Sequence, residues 1–265
     1  MPRITPIPAF NDNYIWCWID EDSHRAAVVD PGDADPVLSF LKQHQLQLDT
    51  ILVTHHHHDH TGGIERLLQE ASPQSSIPVY GPSNSVIRSI SEPMHEGESF
   101  LLFGRRVQVM TIPGHTLDHI GYFVAASATD QTPFVFCGDT LFRAGCGRLF
   151  EGTPEQMLQS LNRLNELPAE TLVYCTHEYT LSNLAFAAAV EPHNQAIQEA
   201  IKADQHKRQQ QVPTLPSTLA EERRINPFMR TEAPAVQAAA GNLEQIDTTN
   251  ATEVFRVIRD WKNRF

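Results

Sequence analysis

Short hydrophobic runs, most of them bounded by Gly, Pro, Asp or His, recur along the first two thirds of the chain. They are Tyr14 to Asp20, Ala26 to Asp30, Thr50 to Thr54, Ile77 to Tyr80, Phe100 to Phe103, Arg106 to Ile112, Ile120 to Ala125, Pro133 to Cys137 and Thr171 to Cys175. Their length and their content of β-branched and aromatic residues predict strands. Several are almost wholly apolar, as strands covered on both faces are, whereas Arg106-Val107-Gln108-Val109 alternates like a strand with one wet face. Phe103-Gly104-Arg105 predicts a hairpin turn.

Helical spacing fills the gaps between these runs. Thr153-Pro154-Glu155-Gln156 supplies a capping hydroxyl, Pro at the first helical position and Gln at the third, and Met157, Leu158, Leu161 and Leu164 follow on one face. Asp35-Pro36 predicts the opening of a second helix with Val37, Leu38 and Leu41, and Ile64, Leu67 and Leu68 mark a third. Strands mixed with helices predict an α/β core in which helices cover sheets.

After His177 the pattern changes. Leu184 to Val190 is rich in Ala, Asn194 to Gln211 is polar with interspersed Ala and Ile, and no strand is predicted. A domain boundary is expected near residue 178, dividing the chain into residues 1–178 and a helical 179–265. Val212 to Pro216 and a loop around Gly241 are expected to separate the helices. The last helix is expected to start at Asn250, with Glu253 completing a capping pair, and to bury Val254, Ile258 and Trp261.

Composition narrows the chemistry. The 265 residues are 41% hydrophobic, enough for a packed core, and carry a net charge of -12 from 32 acidic and 20 basic side chains. Such a chain is repelled by phosphate backbones and anionic lipid, so neither nucleic acid nor a membrane is expected as a partner. No apolar stretch reaches about 18 residues and Met1 to Pro6 does not resemble a signal peptide, so a cytoplasmic monomer is expected. Cys17, Cys137, Cys146 and Cys175 stand far apart, which predicts buried thiols rather than a disulfide or metal framework.

The unusual component is 13 His, of which five fall in Thr54-His55-His56-His57-His58-Asp59-His60. This segment ends the apolar run Ile51-Leu52-Val53 and precedes Gly62-Gly63 and a helix, a setting unlike that of a tag or a disordered metal-buffering tract. In extended chain, residues two apart point the same way, so His55 and His57 can reach one ion, and Asp59 with His60, carried round the turn, can reach a second. His115, Asp139 and His177 each follow a strand-like run, which predicts that four strand ends bring ligands to one sheet edge. Imidazole and carboxylate donors suit zinc, iron or manganese. With Asp139 bridging, each ion would have an open position, as catalytic rather than structural metal sites do. His56, His58 and His119 are not assigned as ligands, and His24, His44, His95, His193 and His206 are expected to face solvent.

The motif resembles that of the metallo-β-lactamase superfamily. Along nearly the whole chain the sequence also resembles the glyoxalase II (hydroxyacylglutathione hydrolase) family. Thr54 to Gly63, Pro113-Gly114-His115-Thr116, Gly138-Asp139-Thr140-Leu141-Phe142, Gly145-Cys146-Gly147-Arg148, Thr176-His177-Glu178-Tyr179 and Asn226-Pro227-Phe228-Met229-Arg230 carry this likeness. It implies an αββα sandwich with a C-terminal helical domain. It further implies one metal on His55, His57 and His115, a second on Asp59, His60 and His177, and Asp139 shared between them. His57, Asp59 and Asp139 would be central to hydrolysis of S-D-lactoylglutathione to D-lactate and glutathione. The glutathione contacts would fall on Arg148, Phe150, Tyr179, Arg259 and Lys262. Arg148 stands where some members have Lys, and Phe150 where some have Tyr, so a hydroxyl contact there is lost. The rivals are oxidation of glutathione persulfide at a single iron and a non-catalytic metal-binding module.

Overall fold

The computed structural model describes residues 3–71, 76–127 and 132–265. The chain divides into two compact units: Met1–Thr111 with Asp118–Gly138, and Ile112–Leu117 with Asp139–Phe265.

The first unit carries a six-stranded sheet of β1 (Arg3–Ala9), β2 (Asn13–Asp20), β3 (Arg25–Val29), β4 (Gln47–Leu52), β5 (Val79–Pro82) and β6 (Glu92–Met94), in that order. β1, β2 and β3 pair antiparallel, whereas β3 to β6 run parallel. Parallel neighbours need crossovers, supplied in part by α1 (Ala34–His44), α2 (His58–Thr61) and α3 (Ile64–Glu70). Ile15, Cys17, Val28 and Ile51 of the sheet, with Val53 just after β4, pack with Val37, Leu41, Ile64 and Leu67 of the helices in one buried cluster. A second, antiparallel set comprises β7 (Ser99–Leu102), β8 (Arg105–Thr111), β9 (Ile120–Val124) and β10 (Phe134–Gly138). The predicted turn joins β7 to β8, with Phe103 and Gly104 both at positive φ, as a two-residue hairpin of this hand requires.

In the second unit β11 (Leu141–Phe142) and β12 (Gly145–Cys146) form a small antiparallel hairpin. The capping box at Thr153 opens α4 (Pro154–Asn165), and the four predicted apolar residues of its face are buried. After β13 (Leu172–Cys175) come α5 (Thr180–Val190) and α6 (Gln195–Gln209), capped by Asn194. β14 (Ser217–Thr218), α7 (Leu219–Ile225), a 3-10 turn (Pro227–Met229), α8 (Pro234–Leu243) and α9 (Ala251–Arg264) complete the chain.

Several expectations need correction. β1 was not predicted, because Pro6 and Pro8 interrupt its pattern; it survives at a sheet edge, where a missing N–H is tolerated. β6, β11, β12 and β14 are too short to leave a periodic signature, and β14 lies beyond His177, where no strand was expected. α1 is capped by Asp33, whose side chain accepts from the Asp35 N–H, so Asp35 lies inside the helix. Gly241 sits within α8 rather than in a loop. Asn250 caps α9 alone, while Glu253 pairs with Arg256, and Trp261 is only half-buried. All four cysteines are buried; burial pushes the Cys17 thiol up to about 12, against the opposing pull of Arg3.

Candidate active site

In the first unit the loop after β4 carries the histidine motif. Extended backbone brings His55 Nε2 to 3.1 Å from His57 Nδ1, and His57 stands at the N-cap of α2. The single turn of α2 then lifts Asp59 and His60, with His60 Nε2 at 3.5 Å from Asp59 Oδ2. His55 and His60 are fully buried.

Both are oriented from behind by Asp30, a residue not singled out from the sequence. Asp30 follows β3 at positive φ and is buried. Its carboxylate accepts from the Thr54 N–H and hydroxyl, each at 2.8 Å, and lies 3.0 Å from His60 Nδ1. Thr54 Oγ1 in turn lies 3.0 Å from His55 Nδ1. One carboxylate therefore stands behind two imidazoles, directly at His60 and through Thr54 at His55, as groups that orient metal-ligating rings do. The available signal was its position: Asp30 ends a buried strand just before Pro31-Gly32, as Asp139 ends another. Asn13, also buried, donates to Asp59 Oδ2 at 3.0 Å and holds that side chain.

The three unassigned histidines have other surroundings. His56 Nδ1 lies 2.9 Å from Asp118, and His58 is exposed. His119 is buried and stacks on His55 with centroids 4.6 Å apart. The other five expected in solvent are exposed.

In the second unit His115, Asp139 and His177 converge. His115 Nε2 and His177 Nε2 lie 3.4 and 3.3 Å from the same oxygen, Asp139 Oδ2. His115 Nδ1 is turned to the carbonyl of Arg148 at 2.8 Å, so Nε2 is the nitrogen that faces Asp139. The loop is closely drawn in: a Cβ on Gly147 would fall 2.0 Å from the Asp139 carbonyl oxygen, so only glycine fits there.

These donors fit a metal. Two nitrogens bound at 2.0–2.1 Å to a tetrahedral ion stand about 3.3 Å apart. The four donor approaches within the units, from 3.1 to 3.5 Å, have that spacing.

The five expected substrate residues lie in the second unit, in different settings. Tyr179 is part-exposed and stacks on His177 with centroids 4.7 Å apart. Phe150 is exposed; its N–H donates to the His115 carbonyl and its ring meets the His115 ring edge-on. Arg148 is exposed, with its guanidinium carbon 6.0 Å from the centre of the Phe150 ring. Arg259 is buried at 6% exposure. Its Nη1 donates to the Cys146 carbonyl at 2.8 Å, and its Nε is buried without a hydrogen-bond partner. Lys262 donates to the carbonyl and hydroxyl of Ser182. Burial, assisted by the nearby Arg259, pulls the Lys262 pKa down to about 8.

The family model described as "Metallo-beta-lactamase superfamily" matches residues 11–177, and these sheets, helices and donors define that class, with its αββα fold. The model described as "Hydroxyacylglutathione hydrolase C-terminus" matches residues 178–265. Curated hydroxyacylglutathione hydrolases of Hahella chejuensis and Pseudomonas paraeruginosa are 49% and 50% identical to the chain, with 100% of each chain covered. The chain therefore belongs to the hydroxyacylglutathione hydrolase family, a family of thioester hydrolases. Among solved structures, ETHE1 from Myxococcus xanthus superposes with a TM-score of 0.62 at 26% identity, covering 86% of this chain and 83% of its own. TTHA1623 in a di-iron-bound form gives 0.55 at 25% identity, covering 84% and 99%.

Proposed function

We propose that the protein hydrolyses S-D-lactoylglutathione to D-lactate and glutathione, using two divalent metal ions, zinc before iron or manganese. His55, His57 and His115 would hold one ion and Asp59, His60 and His177 the other, with Asp139 common to both. The di-iron-bound relative supports iron as an alternative occupant. Residues 1–178 would form the catalytic domain and 179–265 the helical substrate-binding domain. The net charge of -12 supports a monomer that neither nucleic acid nor membrane attracts, and buried thiols support a cytoplasmic setting. Among the described residues no helix is long and apolar enough to cross a membrane.

The observation that carries the reading is the link between metal donors and cationic anchor through one hairpin. Asp139 enters β11, Cys146 ends β12 opposite Leu141, and the Cys146 carbonyl holds Arg259. An acidic protein needs a local cationic site for an anionic glutathione conjugate, and Arg259 with Lys262 supplies one. When bound, ions of this kind lower the pKa of coordinated water toward neutrality and polarise a carbonyl.

The chain's own groups do the rest. Arg259, Lys262 and Arg148 attract the glutathione carboxylates, while Tyr179 and Phe150 offer aromatic surface beside His177 and His115. Phe150 keeps its backbone contact to His115 despite lacking a hydroxyl. Asp59, steadied by Asn13, accepts a hydrogen bond from the attacking water and orients it. The leaving thiolate needs no proton at the moment of C–S cleavage, because a thiol with a pKa of about 8.5 has a weakly basic conjugate anion, which then takes its proton from solvent.

The test follows loss of thioester ultraviolet absorbance before and after chelation, with β-lactam and phosphodiester controls. Hydrolysis should vanish on chelation and return with zinc, and a thioesterase indifferent to chelator would overturn the reading. One iron per chain with oxygen consumption on glutathione persulfide would favour the rival oxidation.

Lys262 makes the reaction pH-dependent in a defined direction. Its folded pKa of about 8 lies below the ordinary lysine value, so its charge is lost as pH rises through about 8. kcat/KM, which reports the free enzyme, should therefore fall above pH 8 through a rising KM. In Lys262→Arg the anchor stays charged, and that limb should move several pH units higher. An unchanged limb in the variant would assign it to another group.

A further inference from the structure

Asn226-Pro227-Phe228 forms the 3-10 turn after α7, and both Asn226 and Phe228 are fully buried. The Asn226 amide donates to the Phe142 carbonyl at 3.2 Å, the Gly145 carbonyl at 2.9 Å and the Glu222 carboxylate at 3.1 Å. Its Oδ1 accepts from the Phe228 N–H at 3.1 Å. This one side chain ties the β11–β12 hairpin to the turn and sets the position of Phe228.

Arg259 is held by both ends of this construction. Its guanidinium carbon lies 5.0 Å from the centre of the Phe228 ring, and its Nη1 donates to the Cys146 carbonyl at the end of β12. The ring itself cannot turn away, because Phe186 stacks on it at 5.9 Å and Phe255 meets it at an angle at 5.7 Å. A flexible arginine loses side-chain freedom on binding a carboxylate, and one clamped beforehand has already lost it.

We infer that Asn226 and Phe228 are positioning residues for substrate recognition: the turn clamps the Arg259 guanidinium between the Phe228 ring and the Cys146 carbonyl, so that its remaining donors are oriented toward a carboxylate of the substrate. This inference rests on the reading of Arg259 as a glutathione anchor. The turn thereby sets affinity, and the metal donors set turnover.

The test is a double-mutant cycle of Phe228→Leu with Arg259→Met, read as KM, kcat, metal content and melting temperature. Phe228→Leu should raise KM about three- to thirtyfold, the range attributable to a cation on a ring face, with kcat and metal content unchanged. In the Arg259→Met background it should add nothing, because the clamped group is gone. Phe228→Met, closer in volume but without a ring, should repeat the KM effect if the Leu variant is too unstable to assay. An equal KM increase in both backgrounds, or a loss confined to kcat, would overturn the inference. Arg259→Met with a wild-type KM would instead sink the anchor reading, a result the single variant reveals on its own.

Discussion

Replacing Asp139 with Asn is expected to lower thioester turnover on the order of a thousandfold or more, and to lower bound metal in parallel. Asp139 is buried, and one of its oxygens meets both His115 and His177 within 3.4 Å. An amide of the same shape keeps the packing but loses the negative charge and offers an N–H₂ group on one side. Loss of a residue that only orients a ligand costs about 10–100-fold in metal affinity or activity, so on the proposal that Asp139 is common to both ions its loss should cost more. Metal analysis and thioester kinetics on the same preparation distinguish this outcome from simple unfolding, which circular dichroism reports. Full metal content with wild-type turnover would remove Asp139 from the site.

The second large effect is expected on stability. Arg143 lies between β11 and β12 and is buried, with Nε 2.6 Å from Asp204 on α6, Nη1 3.9 Å from Glu222 and Nη2 3.6 Å from Glu221 on α7. Burial opposes the Arg143 charge, but Glu222 and Asp204 outweigh it and hold its pKa above the ordinary value. Burial also pushes the Glu222 carboxyl up, with Arg143 pulling it back. Asp204→Ala leaves a buried guanidinium short of its closest counter-charge, which costs about 3–5 kcal/mol. For a chain of this size that lowers the melting temperature by on the order of 10 °C. A shift of a degree or two would mean that Glu221 and Glu222 suffice.

The same residues show why legibility differed along the chain. His55 and His57 could be paired from sequence because extended backbone repeats every two residues, and Asp59 and His60 because one short turn follows. The capping box at Thr153 was equally local, and it formed as read. Local rules also misled where two of them competed. Two prolines concealed β1, and Gly241, read as a loop signal, sits inside α8.

Asp30, Asn13 and Arg143 went unread for a different reason. Their partners are 24, 46 and 61 residues away in sequence, and only the folded chain says which distant carboxylate, imidazole or guanidinium each one meets. By itself, then, the sequence determined the α/β core, the family, the metal-binding motif and the basic residues available for an anion, because periodicity, spacing and side-chain chemistry are local properties. Tertiary structure alone decided which ring nitrogens His55 and His115 turn toward neighbouring donors, that Arg259 lies buried against Phe228 and the Cys146 carbonyl, and that buried charges from α6 and α7 hold the β11–β12 hairpin. Those outcomes depend on burial and long-range contact, which no local pattern encodes.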